Sequence, residues 1–201
     1  MGGVVPDFVT HYHLPSRDPF QSLSDLDDDE ALAVMGHLNQ ERRNGAHHRL
    51  FGKTYLAMRR EAEHRLRCRF VGAGGHPTRE VPHYFVLGES VWFRGLGRDM
   101  SEVRLPLKSL PAEVTSFTYG DSFSATGVGP EFGFGDPTDA PHRSSVYRLD
   151  KLDEIVASHG LPDDEPVDHY DGYERGSDDR FIEIQLWSDQ PVRRFLDNEA
   201  C

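Results

Sequence analysis

Apolar and polar residues alternate along several short stretches of the chain and recur at three- and four-residue spacing along others. Alternation with a period of two is typical of strands, and spacing near 3.6 residues is typical of helices with one buried face. These patterns predict helices over 25–45, 52–71 and 148–160, and strands over 7–14, 81–90, 103–110, 113–123 and 181–187. Because strands and helices do not interleave regularly, this order favours an α+β fold over a doubly wound sheet.

The ends and faces of these elements contain residues that suit them. Acidic residues open the first helix, where the helix dipole is positive, and Leu32, Met35 and Leu38 form its apolar face. Pro106 lies inside 103–110 and lacks the amide hydrogen that an inner strand needs. We therefore expect that stretch to be an edge strand or an extended segment.

The composition indicates one globular domain that spans residues 1–201. Hydrophobic residues make up 37% of the chain and charged residues 28%, which allows a sizeable core at this length. Two stretches, 127–145 and 163–179, are rich in turn-forming or acidic residues and are expected to be long loops. Loops of this length in a compact domain are often functional.

The net charge of −12 argues against an extended nucleic-acid surface, because the protein would repel a phosphate backbone. The basic residues are nevertheless concentrated in 42–70, and a small basic pocket is compatible with this distribution. No run of about 18 apolar residues occurs, so no membrane partner is expected. The chain has two cysteines, Cys68 and Cys201, which we interpret as free thiols in a reducing cytoplasm.

One arginine lies on the apolar side of the second predicted helix. Tyr55, Ala62, Leu66 and Phe70 fall within an arc of about 80° on a helical projection, and Arg59 falls inside the same arc. A buried guanidinium must be paired or must face a cavity, because an unpaired buried charge is very costly. Two interpretations stay open: an internal salt bridge, for example to Glu63, or a site that binds an anion.

The last predicted strand, FIEIQLW, places a carboxylate and an amide between bulky residues. Ile182, Ile184 and Leu186 share one face of the strand, whereas Glu183 and Gln185 share the other face with flanking aromatic residues. If both faces are covered, burial raises the pKa of Glu183 and makes it a candidate for catalysis or ligand binding. Alternatively, this face is partly solvated and the strand lies at the sheet edge.

The sequence motifs of several other chemistries are missing. The eleven histidines include His11 and His13, which share a strand face, but no set has a diagnostic metal-ligand spacing, so no bound metal is expected. No Walker-type phosphate loop occurs, VGAGGHP follows a helix rather than a strand, and LGES is not a nucleophile elbow.

Five segments, taken in order, resemble the bacterial DarT-type ADP-ribosyltransferase toxins. They are VTHYHLPS at 9–16, YLAMRREAE at 55–63, VPHYFVLGESVWF at 81–93, SFTYGDSFSA at 116–125 and the final FIEIQLW. The resemblance covers most of the chain, although each segment is short. The two long loops depart from the family pattern.

The resemblance implies an ADP-ribosyltransferase-like fold, in which a twisted mixed sheet is flanked by helices, and it implies NAD as the substrate. Glu183 and Arg59 would be the catalytic pair. The carboxylate would stabilise an oxocarbenium-like ribose and accept a proton, and the guanidinium would bind the diphosphate. The residues expected to bind NAD are Thr10, His11 and His13 from the first strand, Tyr55 beside Arg59, Tyr84 or alternatively Phe85 against the nicotinamide ring, and Ser90 at the ribose.

The acceptor of ADP-ribose is left open, with a nucleobase, a protein side chain and a small molecule as alternatives. The negative net charge argues against carrying over the single-stranded DNA acceptor of the family. Two other classes of function also stay open. The first is a non-catalytic partner or accessory protein on a related fold. The second is a different small-molecule enzyme that uses Glu183 with His11 or His83 as acid and base.

Overall fold

A six-stranded antiparallel sheet lies at the centre of the computed structural model, which describes residues 4–132, 141–164 and 180–199. The strands are β1 (Phe8–His13), β2 (His83–Leu87), β3 (Ser101–Pro106), β4 (Thr115–Tyr119), β5 (Tyr147–Arg148) and β6 (Ile182–Leu186). The α-helices are α1 (Asp28–Arg43), α2 (Tyr55–Gly72), α3 (Val91–Gly95), α4 (Ser122–Thr126), α5 (Leu152–His159) and α6 (Gln190–Glu199). Short 3₁₀ turns join several of them. The predicted α+β class is confirmed.

The strand order in the sheet is β3-β1-β2-β6-β4-β5, and all five strand pairings are antiparallel. The expected mixed sheet is therefore wrong, and the finer ADP-ribosyltransferase-like fold stays a prediction. β6 pairs with β2 on one side and with β4 on the other, so the sheet-edge alternative for this strand is also wrong. In this register Glu183 lies beside Val86 and Thr118.

One face of the sheet is apolar and forms the main core. Phe85, Ile184 and Phe117 are neighbours across β2, β6 and β4, and each is at most 2% exposed. Leu152 of α5 and Val192 of α6 pack in the same cluster. Burying this apolar surface is the main driving force for closing the sheet against the two helices.

The opposite face is covered by α2, which packs in turn against α1. Asp27 caps α1 by accepting the backbone N–H of Glu30, and Met35 and Leu38 are buried as predicted. Leu32 was expected on the same face, but it is 53% exposed. Ala31 takes its place in the interface, because Ala31, Met35 and Leu38 follow the four- and three-residue spacing of one helix face, which Leu32 does not share.

Most predicted elements are confirmed, including β3 at the sheet edge, but three helices were not predicted. Strand 113–123 ends at Tyr119 and continues through a turn into α4, and the short α3 and the C-terminal α6 were also missed. Within the predicted loops 127–145 and 163–179, residues 133–140 and 165–179 lie outside the described residues, as does Cys201. Cys68 lies on α2 as a free, exposed thiol. No helix in the described ranges is long and apolar enough to cross a membrane.

Candidate functional site

The sheet face beneath α2 is unusually polar for a buried surface. Its side chains come from four neighbouring strands, and all but Tyr84, which is partly buried, are 9% exposed or less: Thr10, Tyr84, Ser116, Thr118, Glu183 and Gln185. Glu63 of α2 meets this face from above, where its Oε1 accepts the hydroxyl of Tyr84 at 3.2 Å. Burying so many polar groups is costly unless they are bonded to one another or serve a ligand.

A cavity of about 740 Å³ opens between this face, α2 and the segment that follows β1. Its volume falls within the range of about 300–1,000 Å³ that is usual for small-molecule sites. Seven of the eight predicted site residues line it, which are Glu183, Arg59, Thr10, His11, His13, Tyr55 and Tyr84. The structure therefore brings together residues from β1, α2, β2 and β6 that lie far apart in the sequence.

Ser90 is the predicted site residue that the structure does not bring to this cavity. It is wholly buried and serves as the N-cap of α3, where its Oγ accepts the backbone N–H of Phe93 at 3.2 Å. Its own backbone N–H donates to the hydroxyl of Tyr12 at 2.9 Å. Its side chain therefore has a local structural role, and the hydroxyl is not presented to a ligand.

Glu183 combines deep burial with few compensating contacts. Burial raises its pKa from 4.5 to about 7, and the nearby carboxylate of Asp121 acts in the same direction. Hydrogen bonds from Gln185 and Ser122, together with the charge of Arg59, oppose this rise. A carboxyl group with a pKa near 7 exchanges protons readily at neutral pH, which suits general acid or base chemistry.

The internal salt bridge to Glu63 that the sequence left open for Arg59 is present, and the anion-binding interpretation stays a prediction. Its Nε donates to Oε1 of Glu63 at 3.0 Å, and its Nη1 donates to the hydroxyl of Tyr55 at 3.2 Å. Its guanidinium also lies 4.8 Å from the ring centre of Tyr84. The side chain is 17% exposed and lines the cavity, and its Nη2 donates to Oγ of Ser22 at 3.4 Å, so contacts at all three nitrogens orient the guanidinium.

The pKa values of the two tyrosines beside Arg59 are shifted in opposite directions. Burial and the carboxylate of Glu63 raise the pKa of Tyr84 well above its usual value. Burial also acts to raise the pKa of Tyr55, but the charges of Arg59 and Arg49 outweigh it, so this pKa is lowered. Tyr84 is thus held as a neutral hydrogen-bond donor, whereas Tyr55 is the more readily ionised group on the cavity wall.

The β1 residues mainly hold the cavity wall together. The hydroxyl of Thr10 donates to the carbonyl of Gly88 at 2.5 Å. His11 is held as the neutral Nδ1–H tautomer, because Nδ1 donates to the carbonyl of Tyr84 at 2.8 Å and Nε2 accepts the N–H of Phe20 at 3.0 Å. Burial lowers the pKa of His11 to about 4. Both nitrogens are therefore engaged, and the ring itself packs against the rings of His13 and Phe20.

His13 and His83 complete the histidines of interest. Nδ1 of His13 donates to the carbonyls of Leu14 and Arg17, which leaves Nε2 as its acceptor nitrogen. Nε2 of His83 lies 2.9 Å from the carboxylate of Asp189, at the start of α6. In the described parts of the chain, no group of three or more potential ligand side chains is placed to hold a metal ion.

Sequence reasoning missed an aromatic group at one side of the cavity. The ring of Phe181 stacks on Trp92 with a centroid distance of 5.7 Å and meets the edge of Phe93 at 4.8 Å, and Phe93 stacks on Tyr12 at 5.8 Å. The available signal was the position of Phe181, two residues before Glu183 on the same strand face. These rings line the cavity together with Glu183.

Comparisons with models of protein families, with curated proteins and with solved structures found no match to this chain.

Proposed function

We propose that the protein is an ADP-ribosyltransferase that cleaves NAD in the cavity beneath α2 and transfers ADP-ribose to an acceptor. One observation carries the proposal. Glu183 of the central strand and Arg59 of α2 line the same cavity, and the pKa of Glu183 is raised to about 7. The resemblance of the sequence to the DarT-type family had assigned the catalytic roles to these two residues.

The proposed reaction assigns a changing charge state to Glu183. The glycosidic C–N bond of NAD breaks, and its electron pair leaves with nicotinamide. The carboxylate of Glu183 stabilises the positive charge that develops on the ribose. The acceptor then forms the new bond to the ribose carbon and gives its proton to Glu183. Because the carboxylate form is required, activity should rise with pH through about 7.

The remaining groups support a defined orientation of the substrate. Arg59 offers planar N–H donors to the diphosphate, and Tyr55 lies beside it as a further polar contact. The aromatic cluster of Trp92, Phe93 and Phe181 suits a planar ring. We therefore propose that the diphosphate lies toward Arg59 and the nicotinamide toward this aromatic cluster.

The proposal is tested by incubating the protein with NAD and measuring the release of nicotinamide. We expect release by the wild type, and a loss of at least about 100-fold in Glu183→Gln, which keeps the size of the side chain but lacks the charge. Glu113→Gln is the matched control, because Glu113 is exposed. Absence of NAD binding in calorimetry would refute the proposal.

A non-catalytic role on a related fold is the second candidate, and the ion pair between Arg59 and Glu63 favours it. In that case Arg59 serves only to compensate the buried Glu63 carboxylate. Exchanging both for an apolar and a neutral residue, as Arg59→Met with Glu63→Gln, would then leave every measured function intact. Under the first proposal the same double variant folds but loses NAD binding.

A further inference from the structure

A chain of buried hydrogen bonds runs behind Glu183 along strands β4 and β6. Nε1 of Trp187 donates to Oγ of Ser116 at 2.8 Å, and the hydroxyl of Ser116 donates to Oε1 of Gln185 at 2.8 Å. All three of these residues are fully shielded from solvent. Nε2 of Gln185 then donates to Oε1 of Glu183 at 3.1 Å.

The direction of this chain is set at both ends. An indole nitrogen only donates, so the hydrogen of the Ser116 hydroxyl is free to point onward to the oxygen of the Gln185 amide. The second N–H of that amide donates to Oγ1 of Thr118 at 3.1 Å, and the Thr118 hydroxyl donates to the carbonyl of Gly120 at 2.9 Å. A reversed amide would place its oxygen against the carboxylate of Glu183.

We propose that Gln185 is a positioning residue that keeps Oε1 of Glu183 as a hydrogen-bond acceptor, so that Glu183 takes up and releases its proton through Oε2. A proton on Oε1 would clash with the N–H that Gln185 donates to the same oxygen. The relevance of this arrangement to catalysis rests on the proposed function, whereas the arrangement itself does not.

The same hydrogen bond increases the ionised fraction of Glu183. An N–H that donates to a carboxylate favours the charged form, so the contact with Gln185 lowers the pKa of Glu183 against the larger effect of burial. The other groups facing Glu183 are Asp121 and Ser122 at the start of α4, Arg59 of α2 and Tyr84 of β2, and the Ser122 hydroxyl also donates to the carboxylate. Removing the Gln185 amide leaves these four groups in place and is expected to raise the pKa by about one unit.

The test follows the side-chain carboxyl of Glu183 by ¹³C NMR across a pH titration, with Glu183→Gln used to assign the signal. In Gln185→Leu we expect the pKa of Glu183 to rise by about one unit. In Ser116→Ala, which keeps the amide but frees its orientation, we expect a smaller rise. Gln190→Leu is the matched control, because Gln190 is exposed at the start of α6.

The nicotinamide assay supplies a readout that a merely structural role would not change. We expect the rising limb of the pH profile to move to higher pH by the same amount as the pKa. If Gln185→Leu does not fold, Ser116→Ala carries the test. An unchanged pKa of Glu183 in the folded variants overturns the positioning role. A shifted pKa in a protein that never releases nicotinamide supports the positioning role and refutes the proposed function.

Discussion

Replacing Glu183 with glutamine is expected to stabilise the protein, and to do so increasingly as the pH rises. The pKa of Glu183 is raised from 4.5 to about 7 in the folded state, chiefly by burial. Between these two values the unfolded chain has already lost the proton that the folded chain still holds. The free energy of unfolding therefore falls with rising pH over this window.

The size of the effect follows from the shift in pKa. A difference of about 2.5 units corresponds to about 3 kcal/mol when the pH lies above both values. Glutamine resembles the protonated acid in shape and carries no charge, so the variant lacks this term. We expect Glu183→Gln to exceed the wild type in stability by about 1 kcal/mol at pH 5 and by about 3 kcal/mol at pH 8.

The assay is urea unfolding of both proteins at several values between pH 5 and pH 8, with the free energy extrapolated to water. The buried histidines change the free energy of unfolding with pH in the opposite direction. Burial lowers the pKa of His11 to about 4 and also lowers the pKa of His83, so both reduce stability as the pH falls below about 6.5. This term is common to both proteins and cancels in their difference.

Glu113→Gln, at an exposed position, serves as the control for the loss of one carboxylate from the protein. Its difference from the wild type should stay within about 0.5 kcal/mol at every pH. Parallel stability curves for the wild type and Glu183→Gln would refute the reasoning, because they would show that Glu183 has the same proton affinity in the folded and unfolded chains.

Two further predictions concern α2 and the turn after it. Arg59→Met should lower the free energy of unfolding by about 3 kcal/mol, because it leaves the buried Glu63 carboxylate without its cation. Adding Glu63→Gln should recover most of this loss in urea unfolding, and simple additivity of the two changes would contradict the coupling. Gly75→Ala should lower the free energy of unfolding by about 1–3 kcal/mol, because the new methyl would lie 2.4 Å from the ring of Phe70. Gly72→Ala is the control, because its new methyl meets no atom within 4 Å and should be tolerated.

The sequence pattern predicted individual side-chain directions better than it predicted the assembly of the sheet. Alternation in the last strand placed Glu183 and Gln185 on one face and Ile184 on the other, and the helical projection placed Arg59 on the buried side of α2. These are local properties of a strand or helix. The antiparallel order of the sheet is set by long-range packing, and the pattern contains no direct information about it.

Other errors arose where local signals competed. Leu32 is apolar but exposed, since α1 turns the smaller Ala31 toward its neighbours. α6 was missed although Asp189, directly before it, and Pro191, in its first turn, are residues usual at a helix start, because the segment follows a strong strand signal without a glycine between them. Ser90 was assigned to a ligand, whereas its position before a short helix is typical of an N-cap.

The central position of β6 links correct folding to the presence of the candidate site. If β6 slipped by one residue against β2 and β4, Ile182 and Ile184 would enter the cavity and Glu183 would enter the apolar core beside α5 and α6. Such a chain would lose the packing of its core and the carboxylate of its cavity in the same step. Molecules in the wrong register would therefore be unstable, and every stably folded molecule would have Glu183 in the cavity.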